Sequence, residues 1–262
     1  MIERLIEGET MSDLFWIAII LIILVMIIGL LGARRIPDKI LNGRIAKLIL
    51  KNTSLGDRLC EIFYGVAMVT VISGMVNYGL SGNKDLGPTL LFIALGVNIS
   101  WGIIDGATSV YGGLVDEAEE DRLVNSLRTE ANNQEHRGNV AEILEGTILR
   151  SISDEERSKV VDMVAAGKPE KIRGYGASGD DFQMFMAIFL MDFITVFPVI
   201  IPLYIVDDPQ KALFWSHLIA ILLFVIIGMT WAKYLNKNMM KAGLAMGVLA
   251  IVTVSVTYYF GW

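Results

Sequence analysis

The chain has 262 residues, of which 54% are hydrophobic and only 19% are charged, and its net charge is −6. A soluble domain carries about 25% charged residues, so this composition excludes an ordinary soluble enzyme. The negative charge argues against a general nucleic-acid binder, and the single Cys60 excludes a disulfide framework or a cysteine-rich metal site. The composition therefore indicates an all-α, polytopic membrane protein with a small soluble insert.

The apolar residues are gathered into six runs, each long enough to cross a bilayer. About 20 apolar residues, rising 1.5 Å each, span a hydrocarbon core about 30 Å thick. The first run follows acidic residues and ends at two arginines, so it is interpreted as a retained helix rather than a cleaved signal peptide. The predicted spans are 14–33, 62–80, 88–111, 182–206, 212–233 and 242–262.

Basic residues in the short loops set the expected orientation. Seven lie in 34–58 and three surround residue 237, whereas the opposite loops hold only Lys84 and Lys211. We therefore expect a multi-pass plasma-membrane protein with both termini outside. The predicted domains are an additional N-terminal transmembrane helix (1–33), a basic amphipathic cytoplasmic segment (34–58), a transmembrane helix pair (59–112), an acidic cytoplasmic helical domain (113–181) and three transmembrane helices (182–262).

The basic segment 34–58 carries apolar side chains near helical spacing, with basic residues between them. Such a stretch is suited to lying on an anionic membrane leaflet. An ordinary positive-inside loop explains the same pattern equally well, so both interpretations stay open.

The insert at 113–181 holds 16 acidic and 9 basic residues, and so accounts for the negative charge of the chain. Ser153 and Glu156 have the spacing of a capping box, which starts a helix. The first of the predicted helices continues from the third span into a three-helix appendage. The three helices are predicted at 116–130, 139–150 and 154–166.

Acidic side chains of the insert recur at helical spacing. Like charges at i, i+3 or i, i+4 repel each other, and a divalent cation between them reverses that repulsion. The alternative for each cluster is a solvated helix face, with acidic residues at a helix start favoured by the helix dipole. For the three clusters together we slightly favour metal binding, with these candidate ligands: Glu117, Glu120, Glu142, Glu145, Glu155 and Glu156.

Three acidic residues fall within, or at the edge of, the predicted spans. Glu61 stands at the cytoplasmic edge of the second span, Asp105 about two-thirds of the way along the third, and Asp192 near the middle of the fourth. An ionisable side chain within a span is costly unless it is paired or hydrated. We therefore predict that these three residues line a transport pathway in the cytoplasmic half of the bilayer.

Pro198 and Pro202 lie four residues apart in one predicted helix. Each proline lacks an amide donor, so carbonyl oxygens of the preceding turn need a neighbour, water or an ion instead. Broken helices of this kind are typical of transport sites and equally of ordinary kinks. Both prolines are included in the candidate pathway.

Other small or polar residues in the spans predict packing rather than chemistry. Gly102 with Gly106, and Gly243 with Gly247, form small-residue faces that favour close helix packing. His217 is interpreted as a hydrogen-bonded structural histidine in preference to a proton relay.

Four segments carry a resemblance to a known family: LCEIFYGVAMVTVISGMV, NISWGIIDGATSVYGGL, FITVFPVIIPLYIVDD and KAGLAMGVLAIVTVSVTYYFG. In this order and spacing they resemble consecutive parts of the vacuolar iron transporter family, in a divergent prokaryotic branch. The similarity covers about residues 56–262, with two spans, a cytoplasmic helical insert and three further spans. The helix at 14–33 is then an addition.

The resemblance implies a homodimer in the lipid bilayer that exports Fe²⁺ or Mn²⁺ from the cytoplasm in exchange for protons, and an insert whose glutamates collect the metal. Two features depart from the family pattern. The Asp-Gly step is at Asp105–Gly106, one helix later than in the family, and the insert has the single Met163 where iron exporters use a pair. Carboxylates without soft ligands discriminate poorly among Fe²⁺, Mn²⁺ and Mg²⁺.

The leading hypothesis is a divalent-metal transporter that is not an enzyme and has no tightly bound cofactor, with Fe²⁺ or Mn²⁺ as its substrate. Carboxyl groups in an apolar bundle would hold protons and release them as the metal arrives. The alternative is a non-transporting membrane scaffold or sensor whose acidic insert binds a partner. An intramembrane enzyme is disfavoured, because the chain contains no HExxH or GxSxG motif.

Overall fold

The computed structural model describes residues 43–79, 86–169 and 175–260. These residues contain helices and no strand, which confirms the predicted all-α fold class. The helices are α1 (Arg44–Asn52), α2 (Leu55–Gly79), α3 (Leu86–Thr129), α4 (Gln134–Glu145), a 3₁₀ turn (Ile148–Ser151), α5 (Asp154–Ala165), α6 (Gly179–Thr195), α7 (Phe197–Ile205), α8 (Pro209–Tyr234) and α9 (Met239–Phe260).

Five helical stretches of the described chain are long and apolar enough to cross a membrane. They correspond to the second to sixth predicted spans, whereas the predicted first span, 14–33, lies outside the described residues. Large apolar side chains such as Phe92 and Leu244 are exposed on these helices, as expected for surfaces that face lipid. The five stretches are Leu55–Met75, Thr89–Thr129, Gly179–Ile205, Pro209–Tyr234 and Met239–Thr257.

The described residues fall into two compact units, and the first holds the membrane helices. It comprises the described residues up to Ala107 and those from Asp180 onward. Its main apolar core joins α2, α3, α7, α8 and α9 through buried side chains that include Val66, Leu90 and Phe224. This core positions the helices that carry the acidic residues.

Helix α1 is the described part of the basic segment predicted at 34–58; the rest of that segment up to residue 42 lies outside the described residues. Ile49 of α1 is buried in a cluster with side chains of α2, α6 and α8. Lys47 and Lys51 are exposed. The helix is therefore amphipathic, with its apolar face packed on the bundle.

Pro198 and Pro202 lie in one helix, as predicted, but the predicted span 182–206 is not one continuous helix. Helix α6 ends at Thr195, and α7 begins at Phe197. Pro198 occupies the first turn of α7, where a missing amide is tolerated. The amide of Val199 donates to the carbonyl of Val196 at 3.0 Å. The helix is interrupted because the proline cannot continue the hydrogen bonding of α6.

The second unit, Thr108–Gly179, contains the insert. The first predicted insert helix is the continuation of α3, which extends without interruption to Thr129. The small apolar core of this unit contains Leu127, Val140 and Val161.

The predicted insert helix at 139–150 is wrong in its limits. Helix α4 begins five residues earlier because the side chain of Asn133 caps it, accepting hydrogen bonds from the amides of Glu135 and His136. It ends at Glu145, and a separate 3₁₀ turn follows. The third insert helix, α5, begins as predicted, with the capping box between Ser153 and Glu156 formed in both directions.

Candidate metal centre in the membrane unit

Three carboxyl groups from three different helices converge inside the membrane unit. Glu61 of α2, Asp105 of α3 and Asp192 of α6 each offer one carboxyl oxygen, and these oxygens lie within 4.8 Å of one another. Asp192 has no exposed surface and Glu61 is 7% exposed; Asp105 is half-buried. In the part of the chain that the structure describes, this is the one group of three or more His, Cys, Asp or Glu side chains close enough to hold a metal ion.

The carboxyl groups of Glu61 and Asp192 have no basic partner among the described residues. Neither oxygen of Asp192, nor Oε2 of Glu61, is hydrogen-bonded to a donor there. A buried carboxylate without compensation is very costly. The cluster therefore needs a proton shared between carboxyl groups or a cation bound between them.

Gly65 brings α2 close to α6 beside this cluster. The residue lies one turn after Glu61, and a Cβ atom placed on it would overlap Oγ1 of Thr195 and approach the carbonyl oxygen of Asp192 to 3.4 Å. Small residues allow helix backbones in membranes to approach in this way. The absence of a side chain at Gly65 therefore lets Glu61 reach Asp192.

Gly102 and Gly106 bring α3 close to α6 on the other side. A Cβ on Gly106 would lie 2.8 Å from the ring of Phe185, and a Cβ on Gly102 would lie 3.1 Å from the ring of Phe189 and 3.3 Å from Cβ of Asp192. These contacts confirm the close packing predicted for the two glycines. This packing of α3 on α6 brings Asp105 close to Glu61 and Asp192.

The other predicted packing features are also found. A Cβ on Gly243 or Gly247 of α9 would crowd Val225 of α8, so these two helices approach closely as predicted. His217 is buried, and its Nε2 lies 3.2 Å from Oγ of Ser73, which agrees with a hydrogen-bonded structural histidine.

Glu61 lies deeper in its helix than predicted. Helix α2 begins at Leu55, so Glu61 is in the second turn of the candidate span rather than at its first residue. The predicted span began at residue 62, after the charged residues of this region. In the structure Arg58 is buried, and its Nη1 donates to the carbonyl of Thr53 at 2.6 Å.

The six insert glutamates predicted as metal ligands are exposed, and none belongs to a three-ligand group among the described residues. Glu155 is paired with Lys159 at 2.9 Å, and Glu145 lies 3.9 Å from Arg157. Glu156 is engaged in the capping box. The metal-binding role of the insert stays a prediction.

The capping box also perturbs the titration of Glu156. The backbone amide of Ser153 donates to Oε2 of Glu156 at 3.0 Å, and the Ser153 hydroxyl donates to the same oxygen at 2.9 Å. These hydrogen bonds lower the pKa of Glu156 below its ordinary value of 4.5, because they stabilise the ionised carboxylate. This carboxylate is therefore used to start α5.

One buried polar residue near the cluster was missed by the sequence analysis. Asn98 of α3 has no exposed surface. It precedes Asp105 by seven residues, two helical turns, and so lies on the same helix face. That spacing is the signal by which the sequence alone could have found it.

Comparison with models of known protein families identifies the family of the chain. The model of the VIT family matches residues 113–262, which contain the insert and the last three spans. No curated protein matches the chain. The family match covers more than half of the chain and confirms the resemblance found in the sequence. The chain belongs to the VIT family, a family of membrane metal-ion transporters.

Proposed function

We propose that this protein moves Fe²⁺ or Mn²⁺ out of the cytoplasm in exchange for protons, and that Glu61, Asp105 and Asp192 bind the ion in transit. The observation that carries the proposal is the convergence of these three carboxyl groups, within 4.8 Å, inside an apolar bundle. Membership of the VIT family supports metal-ion transport in general. The chemistry of the cluster supports the finer assignment.

Charge balance explains why this cluster suits an exchanger. Three ionised carboxylates around one divalent cation have a net charge of −1. The metal-free cluster has the same net charge when two of the three carboxyl groups carry protons. Exchange of one dication for two protons therefore keeps the charge of the bundle interior constant, which avoids the cost of adding further buried charge during transport.

The donor set also predicts the range of substrates. Carboxylate oxygens bind Mn²⁺ and Fe²⁺, and an all-oxygen site separates these two ions poorly. Mg²⁺ loses its hydration shell reluctantly and demands near-octahedral geometry. We expect Mn²⁺ and Fe²⁺ both to be carried, and Mg²⁺ less well.

Other elements have supporting roles in the proposal. The insert raises the local concentration of cations through its excess of acidic side chains, and the interruption between α6 and α7, with Pro198 and Pro202, continues the pathway beyond Asp192. We propose a homodimer in the plasma membrane, with both termini outside and residues 113–181 in the cytoplasm. Cross-linking and the accessibility of introduced cysteines from each side test these two assignments.

The central test measures Mn²⁺ flux by the full chain in proteoliposomes, with Asp192→Asn as the variant. We expect its flux to fall to background, because one ionised ligand and one proton-carrying group are lost. Asp180→Asn is the matched control, since Asp180 is on the same helix but is exposed and pairs only weakly with Lys51 at 3.4 Å; its flux should equal that of the wild type.

Undiminished flux in a folded Asp192→Asn protein would overturn the proposed role of the cluster. If the wild-type protein neither transports nor binds Mn²⁺ or Fe²⁺, the scaffold or sensor alternative is favoured.

A further inference from the structure

Asn98 is a buried polar residue that does not belong to the carboxylate cluster. Its Nδ2 donates to the carbonyl of Ala94 at 3.0 Å, and this acceptor fixes which end of the amide carries the oxygen. The remaining oxygen, Oδ1, is buried and has no hydrogen-bond partner among the described residues. Since an unsatisfied buried acceptor is destabilising, this oxygen is a candidate ligand group.

The position of Asn98 on α3 relates it to the carboxylate cluster. Seven residues separate Asn98 from Asp105, so it lies on the same face of the helix, about 10 Å closer to the predicted outer side. Gly102 lies between them on this face, and a Cβ built on it would lie 3.3 Å from Cβ of Asp192. The face of α3 that carries Asn98 is therefore the face that packs on α6.

The helix register predicts that Asn98 lies next to the interruption in the neighbouring helix. Gly106 packs against Phe185, and Gly102 packs against Phe189. The two helices are therefore antiparallel here, and a step of four residues back along α3 matches a step of four residues forward along α6. Continued by one more step, the same register predicts that Asn98 lies beside Phe193, between Asp192 and the end of α6 at Thr195.

Backbone oxygens lose their helical donors at this interruption. Pro198 has no amide hydrogen for the carbonyl of Ile194. The amide of Val199 donates to Val196 at 3.0 Å, one residue beyond its ordinary α-helical acceptor, Thr195. The carbonyl oxygens of Ile194 and Thr195 thus lack their usual donors, one turn from Asp192.

We propose that Oδ1 of Asn98 and the carbonyl oxygens at the α6–α7 interruption form a second binding station for a divalent cation, on the outer side of the carboxylate cluster. The proposal rests on the proposed function. Amide and backbone carbonyl oxygens are ligands that hard cations accept. Because these oxygens are neutral, they hold a dication less strongly than three carboxylates do, so an ion that reaches this station is released more readily than one held in the cluster.

The test replaces Asn98 by leucine in the full chain and measures three quantities. Mn²⁺ flux in proteoliposomes should fall by at least about tenfold, because loss of even the hydrogen-bonding partner of a metal ligand costs about 10–100-fold in affinity or activity. Equilibrium Mn²⁺ binding in detergent, followed by electron paramagnetic resonance, should stay within about twofold of wild type, because the carboxylate cluster is intact. The thermal unfolding temperature should be unchanged or higher, because the unsatisfied oxygen is removed; a purely structural role predicts a lower one.

Ser100→Leu is the matched control, since Ser100 is exposed on the opposite side of the same helix and its flux should not change. Flux of Asn98→Leu within twofold of wild type would overturn the proposal. So would a loss of flux that merely parallels a loss of thermal stability.

Asn98→Asp supplies a second test that does not depend on how well the leucine variant folds. A carboxylate at the station should hold the ion more strongly, so Mn²⁺ affinity should rise while flux falls. Unchanged affinity and flux would contradict the proposal. Loss of flux in Asp192→Asn together with normal flux in both Asn98 variants rules out the second station alone. Normal flux in Asp192→Asn rules out the role of the carboxylate cluster, and absence of Mn²⁺ and Fe²⁺ transport by the wild type rules out the proposed function itself.

Discussion

The membrane unit and the insert contain the same kind of side chain in opposite surroundings. In the insert, several exposed carboxylates have local partners, such as Lys159 for Glu155 and the capping box for Glu156. In the membrane unit, Glu61 and Asp192 are buried without a basic partner among the described residues. The two regions therefore differ in what their carboxylates need: those of the insert are solvated, whereas the buried ones of the membrane unit need a proton or a cation.

The energetic reason is the difference in solvation. Exposed ion pairs contribute between about 0 and 1 kcal/mol, because water and salt screen them. Buried carboxylates interact through a medium of lower dielectric constant, so a cation between them is bound more strongly. The following experiments use this difference, beginning with the variant from which we expect the largest effect.

Gly65→Val should remove the membrane site altogether. The new side chain would overlap Thr195 and crowd the backbone at Asp192, so α2 and α6 must separate. We expect Mn²⁺ binding and flux to fall below detection, with a clear loss of thermal stability. Gly96→Val is the control, because no atom lies within 4 Å of a Cβ built at Gly96. Normal binding by Gly65→Val would show that close approach of these helices is not required.

Glu61→Gln should weaken metal binding while preserving the fold. The amide has nearly the shape of the carboxylate but lacks its charge, so Mn²⁺ affinity should fall by at least about 100-fold, as even indirect supporting residues contribute 10–100-fold. The metal-free protein should melt at the same temperature or higher, since one uncompensated buried group has been neutralised. Titration with Mn²⁺ and thermal unfolding measure both effects, and equal affinity in the two proteins would contradict the site.

Ser153→Ala should affect only the insert. It should lower the stability of α5 by about 1 kcal/mol, which is the ordinary cost of losing an N-cap side chain. Hydrogen exchange of the α5 amides in the full chain measures this, and Ser158→Ala, exposed within the same helix, should leave the exchange almost unchanged.

The cap also predicts a pH dependence for α5. Because the folded state lowers the pKa of Glu156, its contribution is fully present above the ordinary value of 4.5 and is lost as the pH falls through the lowered folded value. Protection of the α5 amides should therefore decrease below about pH 4.5 in the wild type, and less steeply in Ser153→Ala. Identical profiles would show that the cap does not stabilise α5 in solution.

Removing the negative charge of four insert glutamates should have the smallest effect on Mn²⁺ transport. The fourfold variant changes these residues to glutamine: Glu117, Glu120, Glu142 and Glu145. We expect Mn²⁺ flux to change by no more than about twofold near 0.15 M salt and by more at low salt, where screening is weaker. A large loss of equilibrium Mn²⁺ affinity would instead show that the insert itself is a strong metal site. The exposed carboxylates would then bind metal more strongly than we expect from their solvation.

Much of the fold was predictable because its signals are local. Runs of about 20 apolar residues require membrane helices, and the capping box at Ser153 marks the start of α5 from four residues alone. The limits of α4 and the residue at which α6 ends before Pro198 were not predicted, because each depends on which of several possible hydrogen bonds the backbone adopts.

The sequence by itself determined that carboxyl groups such as Asp192 lie within apolar helices, since charge and hydropathy are properties of the chain. Only the tertiary structure decided that Glu61, Asp105 and Asp192 meet at one point. That convergence depends on how closely three helices approach at Gly65 and Gly102, and on the direction in which each side chain then points. Such distances arise from packing between residues far apart in the chain, and no local pattern encodes them.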